Sequence, residues 1–307
     1  MTGASVRLGS KTDAMAGAGE GQIRSLALVA GNGSLPGQIA DALTGSGRTF
    51  RVVAIKGEAD ERTRALADTE LGWGEIGRLY EFLNKTGAQD VLLIGGVSKR
   101  PDFTSILGDF GTLKRLPTII RALAGGDDSL LTKVIRLFEV EGFRIVGIKD
   151  VAPQLLASSG VLGKVRPKDA DWRDLQLALQ ATEKLGELDI GQAAVAVGGR
   201  VVALEGAEGT DAMLARCAEL KRIGRVRAKG RSGVLVKTAK PDQDLRVDLP
   251  TVGPQTIKLA VDAGLAGIAV EAHGALIAEK DETLAMADKS GLFVIGIDRA
   301  RDTEDAF

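Results

Sequence analysis

The chain has 307 residues, 44% of them hydrophobic, with 40 basic and 41 acidic side chains. That is enough apolar material for two ordinary domains with real cores, and it excludes a disordered or fibrous protein. The near balance of charge argues against a broad electrostatic grip on nucleic acid, which shows as a basic excess.

Residues 1–23, "MTGASVRLGSKTDAMAGAGEGQI", are small and polar and lack the apolar centre of a signal peptide, so they are expected to be a leader outside the fold, disordered or added in expression. From Arg24 the pattern becomes regular. "RSLALVAG", "FRVVAIKG", "DVLLIGGV" and "FRIVGIKD" read as buried strands. Between them lie helix-compatible segments: "LPGQIADALTGSG", "EIGRLYEFLNKTG" and the pair around "LKRLPTIIRALAGG" and "DDSLLTKVIRLFEVEG". This βαβ rhythm predicts an α/β fold with a Rossmann-like parallel sheet over residues 24–160. "VAPQLLASSGVLGKVRP" breaks the rhythm and marks a boundary near residue 160.

Residues 161–307 predict a second, distinct αβ domain. It starts with the long helix "DADWRDLQLALQATEKLGELD" and two strands joined at Gly198-Gly199. The helix "DAMLARCAELKRIG" and the strand "GVLVKTA" follow, then a charged stretch, "KTAKPDQDLRVDLPTVG". "PQTIKLAVDAG" and "DETLAMADKSG" read as helices, "GIAVEA" and "LFVIGID" as strands. The one cysteine, Cys217, excludes an internal disulfide and a multi-cysteine zinc site, which suits a reducing, cytoplasmic setting. Its place in a helix predicts a packed thiol. No apolar run approaches the roughly 20 residues that cross a bilayer.

Chemistry is sought at the carboxyl ends of strands. In "AGNGSLPG", the backbone around Gly31, Gly33 and Ser34 could receive a phosphate or a uracil-like ring at a helix N-terminus, or be only a tight βα turn. The dinucleotide fingerprint fails there, because Pro36 stands where the third glycine belongs and the second strand ends in Lys56-Gly57. "GGVSKRPDF" supplies Lys99 and Arg100, "GGDDSLL" supplies Asp127 and Asp128, and "EGAEGTDAML" supplies Glu205, Glu208, Thr210 and Asp211. Each is a solvated turn or helix cap in its plain reading, and a phosphate or hard-cation ligand in the other. His273 is the only histidine and is expected to be packed or exposed rather than ligating. The charged stretch carries Lys237, Lys240, Asp242, Asp244, Arg246 and Asp248. If "DLRVDL" is extended, Asp244, Arg246 and Asp248 share one face. Such a surface suits pyrophosphate hydrolysis, where carboxylates hold Mg²⁺ and its waters while Lys and Arg meet phosphate oxygens.

Five blocks in order, "LALVAGNGSLP", "GGVSKRP", "GDDSLL", "AVAVGGRVVALEGAEGTDAML" and "VLVKTAKPDQDLRVDLPTVGPQT", resemble the LpxI-type UDP-2,3-diacylglucosamine pyrophosphatases of lipid A biosynthesis. The resemblance implies a Mg²⁺-dependent hydrolase (Mn²⁺ or another divalent cation being the alternative) that makes UMP and 2,3-diacylglucosamine 1-phosphate by sending water to the phosphorus next to the sugar. It also implies a homodimer with a ligand cleft between its domains. The family's essential aspartate maps onto Asp248, with Asp244 its rival. Asp128, Asp211 and Asp244 would support Asp248 at the metal. Lys237, Lys240 and Arg246 would neutralise the pyrophosphate, Gly31, Gly33, Ser34, Lys99 and Arg100 would face the nucleotide side, and Thr210 would be a further substrate contact. Peripheral contact with the cytoplasmic face of the inner membrane would follow from an amphiphilic substrate. Apolar residues of "APQLLASSGVLG" and "FTSILGDFGTLKRL" are candidates for the acyl chains, with core packing as the plainer role. A non-catalytic UDP-sugar binding module and, more remotely, a nicotinamide-dependent oxidoreductase are the competing classes.

Overall fold

The computed structural model describes residues 24–97, 130–228 and 230–298. The expected helix around "LKRLPTIIRALAGG" and the candidates Lys99, Arg100, Asp127 and Asp128 lie outside the described residues. In the first domain, β1 (Leu26–Ala30), β2 (Phe50–Ile55), β3 (Thr69–Leu71), β4 (Asp90–Ile94) and β5 (Arg144–Ile145) form one sheet in the order β3-β2-β1-β4-β5. Every pairing in it is parallel. β1, "LALVA", is buried along its whole length, as a central parallel strand covered on both faces requires. Leu26 and Leu28 point into one core with Ile39 and Leu43 of α1 (Leu35–Gly45). Ala27 and Val29 point into the other, with Tyr80 and Leu83 of α3 (Ile76–Lys85) and Ile135 and Phe138 of α4 (Leu130–Val140).

Two short elements, α2 (Glu61–Leu66) and β3, were not expected, because neither is long enough to show a period. "FRIVGIKD" yields only two strand residues. The chain then turns at Gly147, whose N–H donates to the Asp150 carboxylate at 2.9 Å, into α5 (Ile148–Val151).

The second domain is built on β6 (Gly160–Val161), β7 (Ala193–Ala196), β8 (Val201–Leu204), β9 (Val234–Lys237), β11 (Gly267–Glu271) and β13 (Phe293–Ile297), in the order β6-β13-β11-β9-β7-β8. The β13, β11 and β9 pairings are parallel and those at both margins antiparallel. Leu175, Ala178 and Leu179 of α6 (Asp169–Glu187) cover one face. α7 (Gly209–Arg222), α8 (Pro254–Asp262) and α9 (Lys280–Lys289) cover the other, through Met213, Leu214, Ile257, Ala260 and Ala287. The β7–β8 hairpin closes at Gly198 and Gly199, with φ of 61° and 76°, the left-handed pair that a two-residue turn needs. The buried Asp174 accepts their N–H groups at 2.9 and 2.6 Å.

One unit was not foreseen in the sequence. β10 (Thr251–Val252) and β12 (Leu276–Ile277) form a separate two-stranded parallel ribbon. It is seated on the first domain: Leu276 is part of the core that holds Leu26 and Leu28, and Leu249 and Ala278 pack against that core.

Candidate functional site

In an open sheet of this order the crevice lies where the chain leaves β1 for one side and returns to β4 on the other. Here the turns after β1 and β4 are laced together. Asn32 N–H donates to Gly96 O at 2.7 Å and Gly96 N–H to Asn32 O at 2.8 Å. A Cβ on Gly31 would lie 2.4 Å from Gly96 O, so this glycine is accounted for by close packing of the two turns. Gly33 has a φ of 97° and open space beside it. Ser34 precedes α1 without capping it by its side chain. Its hydroxyl donates instead to Glu279 Oε1 at 2.8 Å, from the second domain.

The charged stretch is not extended. Asp244 O accepts from the N–H groups of Val247 and Asp248, both at 3.1 Å, which winds residues 244–248 into a helical turn. The expected common face of Asp244, Arg246 and Asp248 is therefore overturned. The cause is local: the Asp244 carboxylate accepts from Arg246 N at 3.0 Å, from Nε at 3.0 and 3.2 Å and from Nη2 at 2.7 Å, and this side chain to backbone bonding competes with a strand. These bonds hold the Asp244 carboxyl below the usual range, against a smaller opposing effect of burial. Arg246 Nη1 reaches Glu139 Oε1 on α4 at 3.1 Å, and its guanidinium is held above its ordinary pKa by Asp244 first and Glu139 after it. Arg246 is thus a strut between domains, with its fork taken by protein carboxylates. The neighbouring Val247 packs against the core containing Tyr80 and Phe138.

Lys240 Nζ pairs with Asp189 Oδ1 at 2.5 Å, beyond the end of α6. Thr210, expected as a helix cap or a substrate contact, is buried and donates to Glu205 Oε1 at 2.7 Å. Glu205 is 6% exposed and accepts from Gln192 N with its other oxygen at 3.1 Å. Lys237, at the end of β9, donates to Thr251 O at 3.2 Å. Burial lowers its pKa, and the carboxylates of Glu205, Asp211 and Asp248 pull it part of the way back. Lys237 thus feels Glu205 first, then Asp211 and Asp248, while Asp244, Arg246, Lys240 and Thr210 are diverted to protein partners. Among the described residues no group of three or more His, Cys, Asp and Glu side chains is arranged to hold a metal. His273 is exposed, with a φ of 59°, and Cys217 is buried, its thiol pushed up to about 11 by that burial.

Beside the turn lies an apolar cavity of about 290 Å³ at the carboxyl end of the first sheet. Its walls include Ile55, Trp73, Leu79, Leu93, Leu131 and Val247. Sequence reasoning missed it, because its lining comes from strands and helices that each read as ordinary core.

The family model described as LpxI N-terminal domain matches residues 25–155, and that described as LpxI C-terminal domain matches residues 158–295. The chain belongs to the LpxI family. The UDP-2,3-diacylglucosamine pyrophosphatase LpxI of Caulobacter vibrioides is 44% identical over 276 residues, 90% of this chain and 98% of that protein. The two LpxI domain matches together take in the first sheet, the ribbon and the second sheet up to the third residue of β13. Among solved structures, the ADP complex of N5-carboxyaminoimidazole ribonucleotide synthetase is similar at 9% identity with a TM-score of 0.23, over 66% of this chain and 45% of that one. The biotin carboxylase domain of Hydrogenobacter thermophilus 2-oxoglutarate carboxylase is similar at 15% identity with a TM-score of 0.22, over 70% of this chain and 44% of that one. Scores this low carry no argument about fold or ligand, so the LpxI assignment stands on the sequence matches.

Proposed function

We propose that the protein hydrolyses UDP-2,3-diacylglucosamine to UMP and 2,3-diacylglucosamine 1-phosphate. One observation carries this reading beyond the kinship: Val247 lines the apolar cavity, while Asp248, the next residue, is among the carboxylates that act on Lys237. A lipid-facing wall and a charge-handling group are adjacent, as a substrate with acyl chains and a pyrophosphate demands.

In this reading the cavity receives acyl chain, the glycine-rich turn at Gly31 and Gly33 faces the nucleotide, and Lys237 compensates phosphate charge. Asp248 orients the attacking water toward the phosphorus next to the sugar. An unassisted carboxylate, with a pKa near 4, is a weak base for water. The donors fit Mg²⁺ or Mn²⁺ in kind, since Mg²⁺ takes one or two carboxylates, keeps waters and completes its shell with substrate phosphate. Asp248 and Asp211 would hold the ion, and Asp244, saturated by Arg246, would not. When bound, the cation would acidify a water and stabilise phosphate charge. The same proposal includes a cytoplasmic homodimer in peripheral contact with the inner membrane, where an amphiphilic substrate resides. No helix among the described residues is long and apolar enough to cross a membrane.

The test is incubation of the purified protein with UDP-2,3-diacylglucosamine in ¹⁸O-labelled water, with Mg²⁺ or with chelator. UMP should appear with Mg²⁺ only, and the label should enter the sugar phosphate. Binding without UMP release would make the protein a UDP-sugar binding module, and label in UMP would contradict attack next to the sugar.

A further inference from the structure

Three residues close a ring across the domain boundary. Ser34 Oγ donates to Glu279 Oε1 at 2.8 Å, Glu279 N–H donates to Gln38 Oε1 at 2.8 Å, and Gln38 Nε2 donates to Ser34 Oγ at 3.1 Å. Glu279 makes its two bonds from a left-handed backbone, φ 46° and ψ 53°, a conformation that any residue with a Cβ disfavours and glycine adopts freely. It is one of three non-glycine residues with positive φ among the described residues, beside Asp189 and His273, and it alone of the three bonds to α1 across the boundary. Strain of this kind persists where surrounding contacts over-determine it.

The place of the ring in the topology gives it leverage. Glu279 lies two residues beyond β12, and Asp248 lies three residues before β10. Because β10 and β12 are parallel, the two residues flank opposite ends of one ribbon. At the Asp248 end the ribbon is tied to the first domain by Arg246 and Glu139. Leu276 of the ribbon belongs to the core of that domain, and the flanking Leu249 and Ala278 pack against it. The Glu279 end rests on Ser34 and Gln38, side chains of the turn and helix that follow β1.

We propose that Glu279 is a positioning residue, which through Ser34 and Gln38 fixes the β10–β12 ribbon along the crevice of the first domain and so sets where Asp248 stands relative to the glycine-rich turn. The inference rests on the hydrolase reading given above, and it needs no contact between Glu279 and substrate.

Four variants test it. Glu279→Gly removes the side chain while suiting the backbone, so the protein keeps its melting temperature or gains. Its kcat nevertheless falls, by about ten- to a hundredfold as expected for a small misplacement of a reacting group, with KM changed less. Glu279→Gln, whose amide oxygen still accepts from Ser34, restores kcat to near the starting value. Ser34→Ala lowers kcat as Glu279→Gly does, and the double variant is no worse than either single one. A Glu279→Gly protein with unchanged kcat, a Glu279→Gln protein as impaired as Glu279→Gly, or additive losses in the double variant would each overturn the proposal. Amide exchange supplies a readout independent of turnover. The N–H groups of Leu276 and Ala278, bonded to Pro250 O and Val252 O, should exchange faster in Glu279→Gly at unchanged melting temperature, and unchanged exchange would sink the clasp even if the hydrolase reading holds. Conversely, faster exchange with no UMP release from the unmodified protein would leave the clasp standing and remove the reaction.

Discussion

Replacing Asp244 by asparagine is expected to cost stability, and replacing Asp248 by asparagine is expected to cost chemistry. The Asp244 carboxylate takes a bidentate fork and a backbone N–H from Arg246. An asparagine keeps one acceptor and turns an NH₂ toward a guanidinium that can only donate. Hydrogen bonds to charged groups are worth roughly 1.5–3 kcal/mol when buried. Asp244 and Arg246 are 28% and 40% exposed, so solvent screening brings the loss to about 1 kcal/mol. Turnover should survive, reduced by no more than about tenfold, a barrier change of about 1.4 kcal/mol. Among the described residues Asp248 makes no ion pair within 4 Å and has the smallest effect of the three carboxylates that act on Lys237, so Asp248→Asn should cost less than Asp244→Asn, about 0.5 kcal/mol in urea. Its UMP release should drop by about 10²–10³, the usual effect of deleting one group that acts on transition-state charge or on the attacking water. Tryptophan fluorescence in urea and UMP release from UDP-2,3-diacylglucosamine measure the two quantities. An Asp248→Asn protein that is destabilised as much as Asp244→Asn, or that turns over at the original rate, would refute the division of roles.

The remaining expectations concern pH, access and packing. The folded pKa of Asp244 lies below its unfolded value of about 3.9, so its stabilising effect is complete above that value and lost as pH falls through the folded pKa. Acid titration should therefore reveal a loss of stability below about pH 4 that Asp244→Asn lacks. Cys217, with a thiol pushed up to about 11, should resist iodoacetamide at pH 8 until guanidinium unfolds the protein, and rapid labelling of the native state would contradict its buried position. Gly31→Ala would put a Cβ 2.4 Å from Gly96 O. The turns after β1 and β4 must then part, which should lower stability by about 1–3 kcal/mol in thermal melts and reduce activity, because the crevice is built from those turns.

Much of the fold was legible because burial on both faces of a parallel sheet demands continuous apolar runs, and "LALVA", "FVIGI" and the first three residues of "VLVK" are such runs. The helices with clear periods, α1, α3, α6 and α7, stand where their patterns put them. The paired glycines 198 and 199 announced their hairpin for a reason of backbone geometry alone. Where the period was short the signal failed, as for β3, α2 and the two strands of the ribbon. The alternation argument failed for a different reason: a carboxylate two residues before an arginine closed on it and wound the chain into a turn.

The sequence by itself determined the two α/β domains, the family and the short list of charged residues, since these rest on local apolar patterning and on ordered blocks of residues. Only the tertiary structure decided which charges are spent. The partner of Arg246 across the domain boundary is 107 positions away and that of Ser34 is 245 positions away, and no local pattern encodes a bond of that span. Lys237 and Asp248 were equals of their neighbours in the charged stretch until folding set the Lys237 ammonium under the influence of Glu205, Asp211 and Asp248 and put Val247, next to Asp248, in the wall of the apolar cavity. The physical reason is that a charge acquires its role from what surrounds it after desolvation, and that is a property of the packed chain.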